Sequence, residues 1–389
     1  MDWKETTLGE LVHIKHGWAF KGEFFAEDGE KIVVTPGNFF EEGGFRLREG
    51  KEKFYTDTFP TEYLLKENDL IVAMTEQGEG LLGSPALVPA NNKFLHNQRI
   101  GLFQKFDEKL VLKEYLYYLF FTEYIRKTVA NTSTGTKVRH TSPKSLYKLK
   151  VKLPPLKTQK KIASILSNYD KLIENNNQRI KLLESMAEEI YKEWFVRLRF
   201  PDTKIKEINI GEIVDLRQGF ALNSKSKHYI SEQGIPLLKI SDLFKGTETL
   251  FVNDSIPKQF LVNEDEIIYT RTAQVGYVFM GKKGVIYNNC FKVIPKNSLY
   301  TTFIYYFLRL KSTRYLAQTL ATGTAQADLN HDSFKGIKIN YPNEKIVIKF
   351  NKIVEPMDKE IKNLLIKNKN LKETRDLLLP KLIHGTLKV

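Results

Sequence analysis

Residues 156–194 read LKTQKKIASILSNYDKLIENNNQRIKLLESMAEEIYKEW. Within them Ile162, Leu166, Tyr169, Ile173, Asn176, Ile180, Leu183, Ala187, Ile190 and Trp194 follow one another at alternating spacings of four and three. That is the seam of a coiled coil, narrower than the apolar face of an ordinary surface helix. The seam begins just after Pro154-Pro155, which suits a helix boundary, because proline pushes the residue before it out of the helical region. A second seam in the same rhythm runs through Phe350, Val354, Met357, Ile361, Leu364, Asn368, Leu371, Arg375, Leu378 and Leu382. Two matched seams in one chain predict helices that pair with each other. Parallel packing would set each asparagine against an aliphatic residue, whereas antiparallel packing about a pseudo-twofold axis lets Asn176 face Asn368, Tyr169 face Arg375 and Ile190 face Val354. A buried polar layer of this kind fixes register at some cost in stability. Pro380 is expected to break or kink the second helix near its end, weakening the layer of Ile162 and Leu382.

Outward from the helices, the chain repeats itself. Leu8-Gly9-Glu10-Leu11-Val12 with Gly17-Trp18-Ala19-Phe20 recurs 202 residues later as Ile210-Gly211-Glu212-Ile213-Val214 with Gly219-Phe220-Ala221-Leu222. Asp69-Leu70-Ile71 and Thr75 recur as Glu266-Ile267-Ile268 and Thr272, and Thr134-Gly135-Thr136 recurs as Thr322-Gly323-Thr324. The stretch 146–154 matches 334–342 at an offset of 188 residues, which then holds through the helices. Each half reads as a mixed domain of short β-rich runs and turns followed by a long helix. One further helix is expected near Lys113–Val129 and its counterpart near Thr301–Thr319, with their Tyr and Phe residues in the core rather than serving as nucleobase platforms. The expected fold class is therefore mixed α/β: two similar α+β domains, 1–155 and 201–342, alternating with helices at 156–200 and 343–389.

The composition agrees with a nucleic-acid partner without proving one. The 389 residues carry a net charge of +14, with 60 Lys plus Arg against 46 Asp plus Glu. A polyanion partner is a natural reading of that excess. Sorted along the repeat, residues 1–155 carry +1, 156–200 carry +3, 201–342 carry +5 and 343–389 carry +5. The first domain can bind DNA only if its basic residues share one face. Cys290 is alone and cannot form an internal disulfide. That suits a reducing cytoplasm, as does the absence of a leader-like or membrane-spanning apolar run.

The order domain, helix, domain, helix resembles the DNA-specificity subunit of type I restriction-modification systems over essentially the whole length. Leu153-Pro154-Pro155-Leu156-Lys157-Thr158-Gln159-Lys160-Lys161-Ile162-Ala163-Ser164-Ile165-Leu166 is similar to that family's central region, Tyr191-Lys192-Glu193-Trp194-Phe195 to its exit, and Leu378-Leu379-Pro380-Lys381-Leu382-Ile383-His384-Gly385 to its closing motif. The second junction, Tyr341-Pro342-Asn343-Glu344-Lys345-Ile346, departs from it by losing the double proline and the glutamine. The resemblance implies two target recognition domains that read the halves of a bipartite, asymmetric DNA sequence. It also implies that the helices serve as a ruler and as a docking surface for two methyltransferase subunits, with restriction/translocase subunits further out. S-adenosylmethionine, Mg²⁺ and ATP would then belong to those partners and none to this chain, which would itself be non-catalytic. From Ile162 to Trp194 a helix rises about 48 Å, against about 34 Å between successive major-groove faces of B-DNA.

For base reading, polar and basic residues in corresponding loops are the candidates, since Arg and Lys suit guanine edges and Asn and Gln suit adenine. In the first half these are Gln77, Gln98, Arg99, Thr134, Thr136, Lys137, Arg139 and His140. In the second they are Arg271, Gln274, Asn288, Asn289, Thr324 and Gln326, with Lys239 and Ser241 on a separate loop. The alternative is that each is an ordinary turn or surface residue, and strand-edge residues such as Arg271 could equally be structural. Catalytic signatures do not appear. Gly276-Tyr277-Val278-Phe279-Met280-Gly281-Lys282-Lys283 has the spacing of a phosphate loop, yet ends in Lys where a Mg²⁺-binding hydroxyl belongs, and its centre is strand-like. His13 and His16 lack partners for a metal set. Pro201-Asp202 is followed by no suitably spaced acidic-x-Lys, and no Asn/Asp-Pro-Pro-aromatic tetrapeptide occurs. Two other classes remain open: a self-contained DNA methyltransferase or nuclease, and a coiled-coil scaffold without DNA specificity.

Overall fold

The computed structural model describes residues 3–48, 50–77, 80–199, 205–323 and 327–389. They form two compact units, Met1–Glu174 with Asn368–Val389, and Asn175–Lys367. Each unit therefore combines one mixed domain with a share of both long helices.

In unit 1, Lys4–Thr7 pairs antiparallel with Lys150–Leu153. A four-stranded sheet has the order His13–His16, Ile100–Gln104, Leu70–Ala73, Pro85–Leu87. A second has the order Phe25–Ala26, Phe54–Tyr55, Ile32–Val34, Phe94–His96, its last pair parallel. Unit 2 repeats the plan. Lys206–Asn209 pairs with Lys338–Tyr341, and a four-stranded sheet runs Val214–Gln218, Cys290–Pro295, Ile267–Thr270, Val278–Phe279. Its second sheet has five strands around the parallel pair of Ile235–Leu238 and Gly284–Ile286.

Side-chain alternation explains the unbroken apolar runs. Leu70 and Val72 face a core with Tyr115, Leu116 and Ile162, while Ile71 and Ala73 face another with Ile32, Val34 and Phe94. A strand buried on both faces has no polar side to show. In unit 2, Ile267 and Tyr269 face Phe303, Phe334 and Phe350, while Ile268 faces Leu238 and Ile286. The two repeated sequence signatures have steric causes. Leu8–Glu10 and Ile210–Glu212 are short 3₁₀ turns closed by capping boxes from Thr7 and Asn209. At Gly17 and Gly219 a Cβ would lie 2.0 Å from the Asn97 carbonyl oxygen and 2.2 Å from that of Tyr287. Only glycine admits that approach.

The central helix spans Leu156–Tyr191, 36 residues, and passes into a π turn at Lys192–Val196. The C-terminal helix spans Glu344–Ile383, 40 residues. Every seam residue read from the sequence is buried or half-buried. Within unit 1, Ile162, Ala163 and Leu166 share a core with Leu379, Leu382 and Ile383. Within unit 2, Ala187 and Tyr191 share one with Phe350 and Val354. The start of one helix thus packs on the end of the other in both units, so the pair is antiparallel. Arg375 bonds Asp170 at 2.6 Å, next to the Tyr169 expected opposite it. Asn176 falls in the share of the central helix held by unit 2, and Asn368 in the share of the C-terminal helix held by unit 1.

The helix starts correspond as the repeat requires. Gln159 is fully buried and donates from Nε2 to the Leu110 and Pro154 carbonyls at 2.7 and 2.9 Å while accepting from the Leu112 amide at 2.9 Å. At the second junction Asn343 caps the helix by accepting from the Ile346 amide at 3.2 Å. Asn351, about two turns further in, donates to the Leu299 carbonyl at 2.9 Å. Tyr118 donates to Asp170 at 2.5 Å, and Tyr306 to Asp358 at 2.6 Å, a pair repeated at the same offset.

Three expectations need correction. The single helices at Lys113–Val129 and Thr301–Thr319 are each two: Lys113–Leu119 with Glu123–Asn131, and Thr301–Arg309 with Lys311–Leu320. Extended residues, Thr122 and Leu310, turn the chain between them. The bend lets Tyr115 and Leu119 on the first helix and Ile125 and Val129 on the second face one core. Pro380 does not end the C-terminal helix, which continues to Ile383 because Leu379, Leu382 and Ile383 anchor its last turn. Lys239 and Ser241 do not lie on a free loop: Lys239 is the N-cap of the helix Ile240–Lys245, and Ser241 is within it.

Candidate nucleic-acid interface

The strand Leu70–Ala73 runs through Met74 into Thr75–Glu76, which pairs antiparallel with Arg139–His140. Met74 connects three segments: its amide donates to the Arg99 carbonyl at 3.0 Å, and its carbonyl accepts from the Thr141 amide at 2.9 Å. Gln77, the turn bearing Gln98 and Arg99, and the hairpin Thr134–His140 are thereby brought to one rim of unit 1. Thr134 and His140 exchange two backbone bonds, at 2.9 and 2.8 Å, which close that hairpin. Gly135 permits it, since its φ is +99° and a Cβ there would sit 2.2 Å from the Val138 carbonyl oxygen. Gln77, Gln98, Arg99, Thr134, Thr136, Lys137 and His140 are exposed, whereas Arg139 is half-buried.

Arg139 is already engaged. Its Nη2 lies 2.9 Å from Glu76 Oε1, a charge contact rather than an aligned hydrogen bond. The Glu76 side chain is 2% exposed, and its other oxygen accepts from the Leu81 and Leu82 amides at 2.9 and 2.7 Å. Arg126 donates to the carbonyls of Glu41, at 2.9 Å, and Gly80. Burial pushes the Arg126 guanidinium down to about 10, still charged at neutral pH. His140 Nδ1 lies 3.1 Å from the Thr75 hydroxyl.

Unit 2 builds the same rim from different side chains. The Arg271 amide donates to the Asn289 carbonyl at 2.9 Å, and its carbonyl accepts from Leu329 at 2.9 Å, as Met74 does with Arg99 and Thr141. Thr322 and Asp328 exchange backbone bonds at 3.0 and 2.8 Å, like Thr134 and His140. Arg271 is bonded to Asp328 at 2.5 Å and stacks on Phe291 at 5.2 Å. Gln274 is exposed, and Asn288 and Asn289 are half-buried. Lys239 follows Leu238, whose carbonyl accepts from the Tyr287 amide at 3.2 Å, so the start of its helix flanks the Asn288 turn. Its Nζ lies 3.8 Å from Asp242. Thr324 and Gln326 lie outside the described residues.

Sequence reasoning missed Glu76, Arg126 and Asp328. Arg126 had a signal, for Arg314 stands 188 residues on and packs over the Tyr277 ring at 4.8 Å beside the corresponding loop. Val278–Phe279 is a strand paired with Ile268–Tyr269, as its apolar sequence indicated. His13 accepts or donates at 3.0 Å with Gln104. Among the described residues no group of three or more His, Cys, Asp or Glu side chains is gathered to hold a metal ion, and no helix is long and apolar enough to cross a membrane. Cys290 is buried, and burial pushes its thiol up to about 12, so it is not poised as a nucleophile. The rims instead carry exposed residues with amide, guanidinium and ammonium groups, Gln77, Gln98, Arg99 and Lys137 in unit 1 and Gln274 in unit 2.

Two copies of one mixed α/β unit, each with a polar rim on three backbone-coupled segments, define a duplicated recognition module. The type I restriction modification DNA specificity domain matches residues 1–185 and 203–373, and the chain belongs to that family. It is 30% identical to the type I restriction enzyme MjaIX specificity subunit of Methanocaldococcus jannaschii over 72% of this chain and 70% of that one. It is 26% identical to the HindI specificity subunit of Haemophilus influenzae, over 72% and 79%. The crystal structure of the type I restriction-modification S subunit from M. genitalium has the same fold, with a TM-score of 0.61 at 20% identity over 98% of this chain and 96% of that one.

Proposed function

We propose that this specificity subunit reads a bipartite, asymmetric DNA sequence, one half with each unit, and directs two methyltransferase subunits and the restriction/translocase subunits to it. The observation that carries this reading is the repetition of one rim with different side chains. Gln77 and Gln274 correspond in place and are alike, whereas the Gln98-Arg99 turn is replaced by Asn288-Asn289, and the basic Lys137 stands on the first hairpin. A shared frame with unlike donors and acceptors suits two unlike half-sites. Base contacts come from these loops, and the net charge of +14 supplies a sequence-independent attraction to phosphates. The chain itself works in the cytoplasm without a cofactor; S-adenosylmethionine, Mg²⁺ and ATP are used by its partners, which also flip the target base.

Selection from randomised duplex DNA by the full chain, alone and with a methyltransferase subunit, tests this. A split motif with one fixed gap is expected. Selection of no sequence in either state, or methylation or cleavage by the chain alone with methyl donor or Mg²⁺, would overturn it.

A further inference from the structure

We infer that Arg139 and Arg271, placed by residue type among the base readers, are positioning residues: each latches the rim of its unit through an ion pair, Glu76–Arg139 in one and Arg271–Asp328 in the other. This rests on the DNA-reading function proposed above and assigns roles within it.

Glu76 is a nearly inaccessible carboxylate with two amide donors from the loop after it and one cation from the hairpin opposite. Were Arg139 to swing out to a guanine edge, the buried Glu76 side chain would lose its cationic partner, a costly arrangement. The contact joins the loop that begins at Gln77 to the hairpin that carries Lys137. Arg126 secures the same loop from the helix side through the Gly80 carbonyl.

In unit 2 every donor group of Arg271 points inward. Its Nε reaches the Leu329 carbonyl at 3.3 Å, Nη1 the Asn288 carbonyl at 3.5 Å and Nη2 the Asp328 carboxylate, and the side chain is 14% exposed. Three of its five N–H donors are thereby engaged, and little of the guanidinium is left exposed for bidentate reading. It therefore ties the Asn288 turn to the backbone pair of Thr322 and Asp328. The signs are reversed between the units: the acid is on the strand side in one and on the hairpin side in the other. What recurs is the link between rim segments, while the residues that make it differ. Reading then falls to the exposed neighbours, Gln77, Arg99 and Lys137 in unit 1 and Gln274 in unit 2.

The test is a double-mutant cycle in the full chain, in whichever state selects a sequence, using Glu76→Gln, Arg139→Gln and the double variant. Latching predicts that each single change weakens binding to the selected duplex roughly tenfold, and that the double variant is no weaker than either, because both break one contact. Preference should flatten across several positions of one half-site, with no new base preferred. Hydrogen exchange at the Leu81 and Leu82 amides should accelerate alike in both single variants, while exchange in unit 2 stays unchanged as the folding control. A preference altered at one base pair by Arg139→Gln but not by Glu76→Gln, with multiplicative losses, would overturn the latch and make Arg139 a reader. Unchanged amide exchange in Arg139→Gln would overturn it too. Failure of the unsubstituted chain to select any sequence overturns the DNA-reading function itself, a different result from a shifted base.

Discussion

Replacing Gln159 with leucine keeps approximate shape and removes every polar function from a side chain that is fully buried. Three hydrogen bonds vanish, two to the Leu110 and Pro154 carbonyls and one from the Leu112 amide. At about 1 kcal/mol net for each, the loss is about 3 kcal/mol, rising toward about 5 where the stranded backbone groups stay dry. Asn351→Leu in unit 2 breaks one such bond, to Leu299. It also removes a buried Oδ1 that has no hydrogen-bond partner, so its cost is about 1 kcal/mol or less. A two-unit chain need not unfold in one step, so hydrogen exchange resolved by peptide is the appropriate assay. Gln159→Leu should accelerate exchange around Leu112 and along the first turns of the central helix by about a hundredfold, because each 1.4 kcal/mol is about tenfold. Exchange in unit 2 should not change. An acceleration below about threefold, or one no larger than that of Asn351→Leu in its own unit, would refute the view that this glutamine fastens the helix start to its domain.

The remaining predictions concern the packing of each unit. Tyr118→Phe and Tyr306→Phe each leave a carboxylate, Asp170 or Asp358, without its phenol donor and should each cost about 1–3 kcal/mol, read as faster exchange confined to the unit concerned. Gly17→Ala and Gly219→Ala force a Cβ onto backbone and should abolish folding of their own unit, while Gly22→Ala, with nothing within 4 Å of its Cβ, should be nearly neutral by circular dichroism. Burial, which penalises the charged ring, lowers the His96 imidazole to about 4 from its usual 6.5, against the opposing pull of the Ile100 carbonyl 2.8 Å from Nε2. Its folded pKa being the depressed one, its stabilising contribution is complete above about pH 6.5 and is lost as pH falls toward 4, by up to about 3 kcal/mol. The pH dependence of unfolding should therefore flatten in His96→Gln between these values; an unchanged profile contradicts the assignment.

What could be read from sequence was what repeats locally. The coiled-coil seam was legible because a four-three rhythm states which side chains share a face, and the antiparallel sense followed from where the two asparagines fall. Leu8-Gly9-Glu10 and Gly17-Trp18 were visible as a repeat, although the reason for each glycine, the Tyr147 side chain 2.9 Å from a Cβ at Gly9 and a backbone oxygen 2.0 Å from one at Gly17, belongs to the folded chain. The bends at Thr122 and Leu310 were not legible, because an apolar stripe has the same period whether one helix or two carry it. Pro380 was misjudged because proline's local penalty was weighed without the anchoring of Leu382 and Ile383 in the core of unit 1. On the rims, residue type named candidate loops but could not separate an arginine that faces outward from one held inward. The counterions settle that point: Glu76 is 63 residues from Arg139, and Asp328 is 57 from Arg271.

The central claim is that one fold, used twice, reads two independent half-sites. Its most direct measurement is to exchange residues 1–155 for the corresponding segment of a relative with a different target and to determine the sequence selected by the hybrid. One half of the motif should change to the relative's and the other half stay as it was. A change in both halves, or in neither, would contradict it.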